Sequence, residues 1–202
     1  RIKAEDVEVT AKYKGTLVTS KATVTFVAAL DLAATTVTAN PITVNADGTS
    51  TSTATITFRD YAGNVIAVED AKLEVMLKGT KTTFTEVSAG VYTALVPART
   101  VAETVEVTAK YDGQTIAAKA AVEFVPALNL AATVVSAAPA SVKADGISTS
   151  TAKVEFKDYA GNAIAVDPAK VAILLDGTSV SIISKGNGVF EATVPARNAA
   201  AV

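Results

Sequence analysis

Apolar and polar residues alternate with a period of two along most of the chain. In one run, Ala54, Ile56 and Phe58 are separated by single threonines. This is the period of a β-strand with one buried face, and no window of similar length has the 3.6-residue period of an amphipathic helix. In the middle of the chain the pattern predicts seven or eight strands, near residues 36–44, 51–59, 64–68, 71–78, 81–87, 90–96, 103–111 and 115–125.

Glycine-containing turns separate these runs. Asp-Gly and Ala-Gly-Asn are tight-turn sequences, because Gly adopts positive φ and Asp accepts hydrogen bonds from backbone N–H groups two residues on. We therefore expect these residues to shape turns. They are Asp47, Gly48, Asp60, Gly63, Asn64, Asp145, Gly146, Asp158, Gly161 and Asn162.

The chain repeats itself without gaps at an offset of 98 positions, as between Asp47 and Asp145. A repeat of this length is a whole domain. We predict the C-terminal strands of an incomplete domain in 1–28, a complete domain in 29–126, and a domain lacking its last two strands in 127–202. Short strands punctuated by turns every 8–12 residues or so indicate immunoglobulin-like β-sandwiches, so the predicted fold class is all-β.

Composition removes several classes of function. The chain has no Cys and no His, which excludes disulfides, thiolate metal sites and Ser-His-Asp or Cys-His catalysis within it. The net charge is −2 and no basic cluster occurs, so nucleic-acid binding is not expected. No apolar run approaches the ~20 residues that a membrane-spanning helix needs, so we predict no membrane insertion within this chain.

Two segments resemble a known family. Residues 46–58 read ADGTSTSTATITF and residues 60–64 read DYAGN. These segments are similar to the group 1 bacterial immunoglobulin-like domains, which occur in tandem in invasin- and intimin-type adhesins. The resemblance implies seven- or eight-stranded sandwiches in a bacterial cell-surface or secreted protein, with an extracellular location and a spacer or adhesive role. Because the chain lacks His and Cys, we also predict that it is not an enzyme.

Three patterns suggest binding or chemistry, and each has a simpler interpretation. Turn aspartates can bind Ca²⁺, but no EF-hand spacing occurs, so we predict no cofactor. Glu69 and Asp70 form an acidic pair that the second copy does not keep, which favours a solvated loop. Tyr61 and Tyr159 could stack on a sugar, although single surface aromatics are common.

Three functions remain open at this stage. The first is a structural stalk of tandem domains, whose partners are adjacent repeats. The second is a self-assembling fibre or surface-layer subunit, in which residues 1–28 of one chain complete 127–202 of the next by strand addition. The third is a carbohydrate- or receptor-binding adhesin module.

Overall fold

The computed structural model describes residues 3–198. Within that range it contains β-strands and two short 3-10 helical turns, Asp70–Lys72 and Pro168–Lys170, and no α-helix. The described residues divide into two compact units. One holds the residues up to Ile42 with Thr51–Pro97 and Thr104–Glu123, and the other holds Thr43–Ser50, Ala98–Glu103 and the residues from Phe124 onward.

The N-terminal hairpin, residues 5–26, is formed by two antiparallel strands and a tight tip. Val7 lies opposite Val24 in the register of the long strands. The tip closes with Tyr13 opposite Thr16. Its strands are β1 (Glu5–Val9), β2 (Lys12–Tyr13), β3 (Thr16–Leu17) and β4 (Ala22–Phe26).

Residues 30–126 form what we call the central sandwich. Its first sheet has the strand order β10-β11-β7-β5. Ile56 in the middle strand lies opposite both Tyr92 and Val37, so apolar residues from three strands share one face. These strands are β5 (Leu30–Asn40), β7 (Ser52–Asp60), β10 (Thr85–Ser88) and β11 (Val91–Val96).

The second sheet of the central sandwich has the order β6-β14-β12-β8-β9, and the short β13 pairs with β12 at its end. Its register places Val107 opposite Leu77 and Tyr111 opposite Leu73. The strands are β6 (Thr43–Ala46), β8 (Leu73–Leu77), β9 (Thr80–Thr82), β12 (Glu103–Tyr111), β13 (Gln114–Thr115) and β14 (Ala120–Pro126).

The core of the central sandwich consists of alternate residues from both sheets. Phe58 and Tyr92 are each 0% exposed and pack edge to face with ring centroids 5.8 Å apart. The Phe58 ring also meets Tyr111 of β12, with centroids 5.3 Å apart, which joins the two sheets. Burial of each such side chain stabilises the fold by about 1.5–3 kcal/mol. The predicted all-β immunoglobulin-like sandwich is confirmed.

Residues 128–194, which we call the C-terminal half-sandwich, contain one full sheet and a two-stranded ribbon. The sheet has the order β15-β16-β20-β19, and β17 pairs with β18. A small core unites Val154, Ile173 and Phe190 with two buried alanines. The strands are β15 (Leu128–Ala138), β16 (Ser150–Asp158), β17 (Ile173–Leu175), β18 (Thr178–Val180), β19 (Ile183–Gly186) and β20 (Val189–Val194).

Four of the predicted strand runs differ from the structure. The run 81–87 is divided between β9 and β10, and the run 115–125 is divided between β13 and β14. The run 64–68 is not a strand, because Val65 makes only one isolated bridge, to Arg59. The run 36–44 is two strands, since β5 ends at Asn40 and β6 begins at Thr43. Among the described residues there is no helix with the length and apolar character that crossing a membrane requires.

Candidate functional site: aspartate turns and uncovered sheet faces

The Asp47 carboxylate organises the turn between β6 and β7. It accepts hydrogen bonds from the backbone N–H groups of Thr49 at 2.8 Å and Ser50 at 2.7 Å. The hydroxyls of the same two residues also donate to it, at 2.9 and 2.7 Å. The hydrogen bonds from Ser50 hold the pKa of the Asp47 carboxyl far below its usual range, and the bond from the Ser50 hydroxyl contributes more than the bond from its N–H. Gly48 completes the turn with a φ of +76°.

The Asp60 carboxylate closes the next turn, after β7. It accepts hydrogen bonds from the N–H groups of Ala62 at 2.9 Å and Asn64 at 2.8 Å, and from the Asn64 side chain at 3.2 Å. The Asn64 side chain is the main reason that the pKa of the Asp60 carboxyl is lowered. Gly63 has a φ of +84°, and a Cβ there would meet no atom within 4 Å.

The second copy repeats both turns with fewer bonds. Asp145 accepts hydrogen bonds from the N–H groups of Ile147 and Ser148, which lower the pKa of its carboxyl, and from the Ser148 hydroxyl at 2.8 Å. Asp158 accepts hydrogen bonds from the N–H of Asn162 at 2.7 Å and from the Asn162 side chain at 3.4 Å. The glycines of these turns, Gly146 and Gly161, have φ values of +78° and +85°.

These carboxylates are therefore engaged by donors of their own turns. Among residues 3–198 no group of three acidic side chains is placed to hold a metal ion. The assignment of these turn residues as purely structural, and the absence of a cofactor, remain predictions.

The acidic pair Glu69 and Asp70 divides into two separate contacts. The Tyr92 hydroxyl donates to the Asp70 carboxylate at 2.7 Å. Burial, with this hydrogen bond next in importance, raises the pKa of the Tyr92 hydroxyl. Glu69 instead pairs with Lys72 at 2.9 Å. The two carboxylates thus have different partners and do not act as a pair.

The Asp70–Tyr92 link is a feature that our sequence reasoning missed. The repeat contains a signal for it, because both members change together in the second copy. Position 168, equivalent to Asp70, is Pro, and position 190, equivalent to Tyr92, is Phe. The second copy therefore lacks both the hydroxyl donor and the carboxylate acceptor of this hydrogen bond.

Tyr61 lies beside an open depression of about 440 Å³ in the central sandwich. Tyr61 is 57% exposed, and Tyr111, Asp31 and Gln114 also line the depression. Tyr159, the equivalent residue of the second copy, is 42% exposed. At Tyr61, therefore, an aromatic residue that the sequence suggested for ligand binding lines a concave surface.

The largest departure from a closed fold is apolar surface on two sheet faces. Val9 and Val24 of the N-terminal hairpin are 51% and 47% exposed, whereas the equivalent Val107 and Val122 are fully buried. The C-terminal half-sandwich behaves in the same way. Val135 is 72% exposed, whereas the equivalent Val37 is 6% exposed. Apolar faces of this kind usually mark an interaction surface.

The central sandwich matches a known protein family. Residues 31–127 match the family described as Invasin, domain 3. A comparison with curated proteins found no match. The family match spans the strands that build both sheets of the central sandwich.

Two solved structures share the fold. FdeC, an Escherichia coli adhesin described as eliciting protection against urinary tract infections, matches with a TM-score of 0.57 and 21% identity, over 98% of this chain and 67% of that chain. Invasin, described as a bacterial integrin-binding protein, matches with a TM-score of 0.54 and 21% identity, over 98% of this chain and 41% of that chain. The chain thus spans less than half of invasin, and at this identity the likeness concerns the fold alone.

Proposed function

An invasin-type immunoglobulin-like domain lies at the centre of this chain, and on that premise we propose that the chain is a structural stalk or spacer module of a bacterial cell-surface or secreted protein. Its role is to add length between functional parts, outside the cell, without catalysing a reaction. Its neighbours in this role are adjacent repeats of the same kind.

The observation that supports a spacer is the way one repeat follows another. β14 ends at Pro126 and β15 begins at Leu128, so a single residue lies between the strands. At the preceding junction, β4 ends at Phe26 and β5 begins at Leu30. Neither connection contains the Gly/Ser-rich sequence of a flexible linker. A module that sets a distance requires such short connections without flexible linkers.

The chemistry of the chain supports a non-catalytic role. It has no His and no Cys, the side chains that most often act as general base or nucleophile. The turn aspartates at 47, 60 and 145 are kept ionised by hydrogen bonds within their own turns. A general acid needs the opposite, a raised pKa near the working pH.

A direct test separates a spacer from a binding module. The purified chain is immobilised and exposed to cultured epithelial cells and to a glycan array, with an integrin-binding invasin fragment as the positive control. A spacer is expected to retain neither cells nor glycans above the level of an unrelated immunoglobulin-like domain. Saturable retention on this chain would contradict the proposal.

The depression at Tyr61 favours carbohydrate binding as the second candidate. Sugars stack on exposed aromatic rings, and Asp31 and Gln114 would supply hydrogen-bonding groups beside the ring. If this candidate is right, Tyr61→Ala abolishes glycan retention. Tyr159→Ala, at the equivalent turn of the second copy, serves as the matched control.

A further inference from the structure

We propose that the depression beside Tyr61 binds a primary organic ammonium group, which lies against tyrosine rings and pairs with the carboxylates of Asp31 and Asp112. Ammonium groups of this kind are carried by amino sugars and by simple alkyl amines. The inference goes beyond the spacer role and does not depend on it. For the carbohydrate alternative, it names the class of sugar that the depression selects.

The depression is built entirely from the complete copy, residues 29–126. The residues that line it come from the start of β5, the turn after β7 and the hairpin of β12 and β13, and all of them lie in one of the two compact units. Two tyrosines and two carboxylates are among them, whereas the described lining residues include no Lys or Arg. A concave surface that is aromatic and negatively charged fits a cation better than a neutral sugar.

Asp31 and Asp112 have acceptor positions to offer a ligand. One oxygen of the Asp31 carboxylate accepts a hydrogen bond from the N–H of Ala33 at 2.9 Å. Within residues 3–198, no donor is bonded to its second oxygen or to the Asp112 carboxylate. An ionised carboxylate can accept about four hydrogen bonds and a primary ammonium donates about three, so the two groups are complementary.

The basic side chains beside the depression are bonded to other groups. Lys72 forms an ion pair with Glu69 at 2.9 Å, and the Arg59 guanidinium donates to the carbonyl of Gly63 at 2.7 Å. In the described part of the chain neither forms an ion pair with the two carboxylates of the depression. These carboxylates therefore create a negative potential that attracts a cationic ligand.

Tyr61 and Tyr111 provide the aromatic surface. Tyr61 is 57% exposed. The Tyr111 ring is held in place, because it packs on Phe58 with centroids 5.3 Å apart and its hydroxyl accepts a hydrogen bond from the N–H of Glu69 at 3.2 Å. The negative face of a tyrosine ring attracts an ammonium group that lies within about 6 Å of its centroid. The Tyr111 ring is thus positioned before a ligand arrives.

The N-terminal hairpin shows an ammonium group on the equivalent ring. Tyr13 and Lys14 occupy the positions of Tyr111 and Asp112, and the turn residues have similar φ values, +48° at Lys14 and +49° at Asp112. The Nζ atom of Lys14 lies over the Tyr13 ring, 5.6 Å from its centroid. Where the hairpin supplies this ammonium from its own chain, the complete copy has a carboxylate. A cation at the ring of Tyr111 is then supplied by a ligand.

The charge of the depression belongs to the complete copy and not to the fold. Asp31 is replaced by Asn129 in the second copy, whereas Tyr61 is kept as Tyr159. The Asn129 side chain accepts a hydrogen bond from the N–H of Ala131 at 3.0 Å, which forms the same turn as at Asp31. The turn therefore does not require a carboxylate, and ligand binding gives its charge a role.

An NMR titration of the whole chain tests the binding. Glucosamine, glucose and n-butylamine are added separately, in a buffer in which both amines are protonated. Glucosamine should shift the amide signals of Tyr61 and Gln114 saturably, whereas glucose, which has a hydroxyl in place of the ammonium, should not do so over the same concentrations. Binding of a single ammonium in an open depression is weak, so amide shifts detect it while cells washed over an immobilised chain are not retained.

The n-butylamine titration distinguishes the two sources of the ammonium. Shifts equal to those with glucosamine would support recognition of the ammonium alone. Binding of glucosamine without binding of n-butylamine would support recognition of an amino sugar, through its ring and its ammonium together.

Three variants locate the site. Asp31→Asn keeps the turn, as in the second copy, and should weaken glucosamine binding by about two- to fivefold. Asp112→Lys should abolish binding, because the new ammonium occupies the ring as Lys14 does in the hairpin. Glu123→Gln removes an exposed carboxylate of β14 outside the depression, and this variant should bind like the wild-type chain.

Three results would overturn the proposal. They are the absence of saturable shifts with both amines, equal binding of glucose and glucosamine, and an Asp31→Asn or Asp112→Lys variant that binds glucosamine as the wild-type chain does. Equal binding of glucose would leave the carbohydrate candidate standing. None of the three results bears on the spacer role, which the cell-retention experiment tests.

Discussion

The central sandwich and the C-terminal half-sandwich have nearly the same pattern of residues but not the same structure. Thr43–Ala46 form strand β6, whereas residues 141–144, with the same alternation of polar and apolar side chains, form no strand. β8 has five residues, and its counterpart β17 has three. The sheet β15-β16-β20-β19, in contrast, matches its counterpart strand for strand.

The difference shows where strand formation depends on a neighbour. β6 and β8 flank β14 and β12 in the central sandwich, and the half-sandwich has no strand at those two places among its described residues. A strand without a hydrogen-bonding partner leaves its backbone groups to water, and its apolar side chains gain little by alternating. The residue pattern therefore permits these strands, but β6 forms, and β8 reaches its full length, only beside β14 and β12.

Core truncation should reveal this difference most strongly. Phe58 is 0% exposed, whereas Phe156 is only partly buried. Phe58→Ala should reduce the free energy of unfolding of the central sandwich by about 3–5 kcal/mol. Phe156→Ala should cost the half-sandwich clearly less, because its site is not enclosed. Hydrogen–deuterium exchange of the whole chain measures both regions separately, and equal losses would contradict the comparison.

Two glycines with similar φ should differ because their surroundings differ. A Cβ on Gly90 would collide with the carbonyl oxygen of Ile66, whereas one on Gly63 would lie in open space. Gly63→Val should cost about 1–3 kcal/mol from backbone strain alone. Gly90→Val should cost more. Thr55→Val, on a strand interior, is the control and should cost the least.

The same control applies to the second copy, where Gly161→Val should also destabilise more than Thr55→Val. Thermal unfolding by circular dichroism provides the measurement. Equal melting temperatures for the glycine and threonine variants would refute the assignment of Gly63 and Gly161 to turns in which a β-branched side chain is strained.

Loss of the Tyr92 hydroxyl should have a smaller effect. Tyr92→Phe removes a hydrogen bond to Asp70 and should lower stability by about 1 kcal/mol. The change makes this position identical to Phe190 of the second copy. A double-mutant cycle with Asp70→Ala should show that the two losses are not additive. Full additivity in denaturant unfolding would show that the bond contributes nothing.

The smallest effect concerns the turn aspartates and pH. The pKa values of Asp47 and Asp145 are lowered in the folded chain, so their contribution to stability is complete above the unfolded pKa and is lost as the pH falls through the folded pKa. Asp47 has one more donor, the Thr49 hydroxyl, where the second copy has Ile147. Thr49→Ile should therefore raise the pKa of Asp47. Titration of the carboxyl carbons by NMR would detect this, and an unchanged pKa would contradict it.

Sequence reasoning identified most of the strands, for a physical reason. Period-two alternation indicates which face of a strand is apolar, as at Ile56 and Phe58. This alternation depends only on residues that are close together in the chain. The run at 64–68 misled us because its alternation resembles that of a strand, while Val65 reaches only Arg59. The Asp60 turn was visible as Asp-Tyr-Ala-Gly-Asn, because such turns are closed by neighbours in the chain.

The sequence by itself determined the repeat, the alternation and the turns, since all three depend on residues close together in the chain. Only the tertiary structure decided which apolar faces are covered. Val37 and Val135 occupy the same position in two copies, yet their exposures are 6% and 72%. Burial requires a second sheet from a distant part of the chain, and no local pattern records whether that sheet is there.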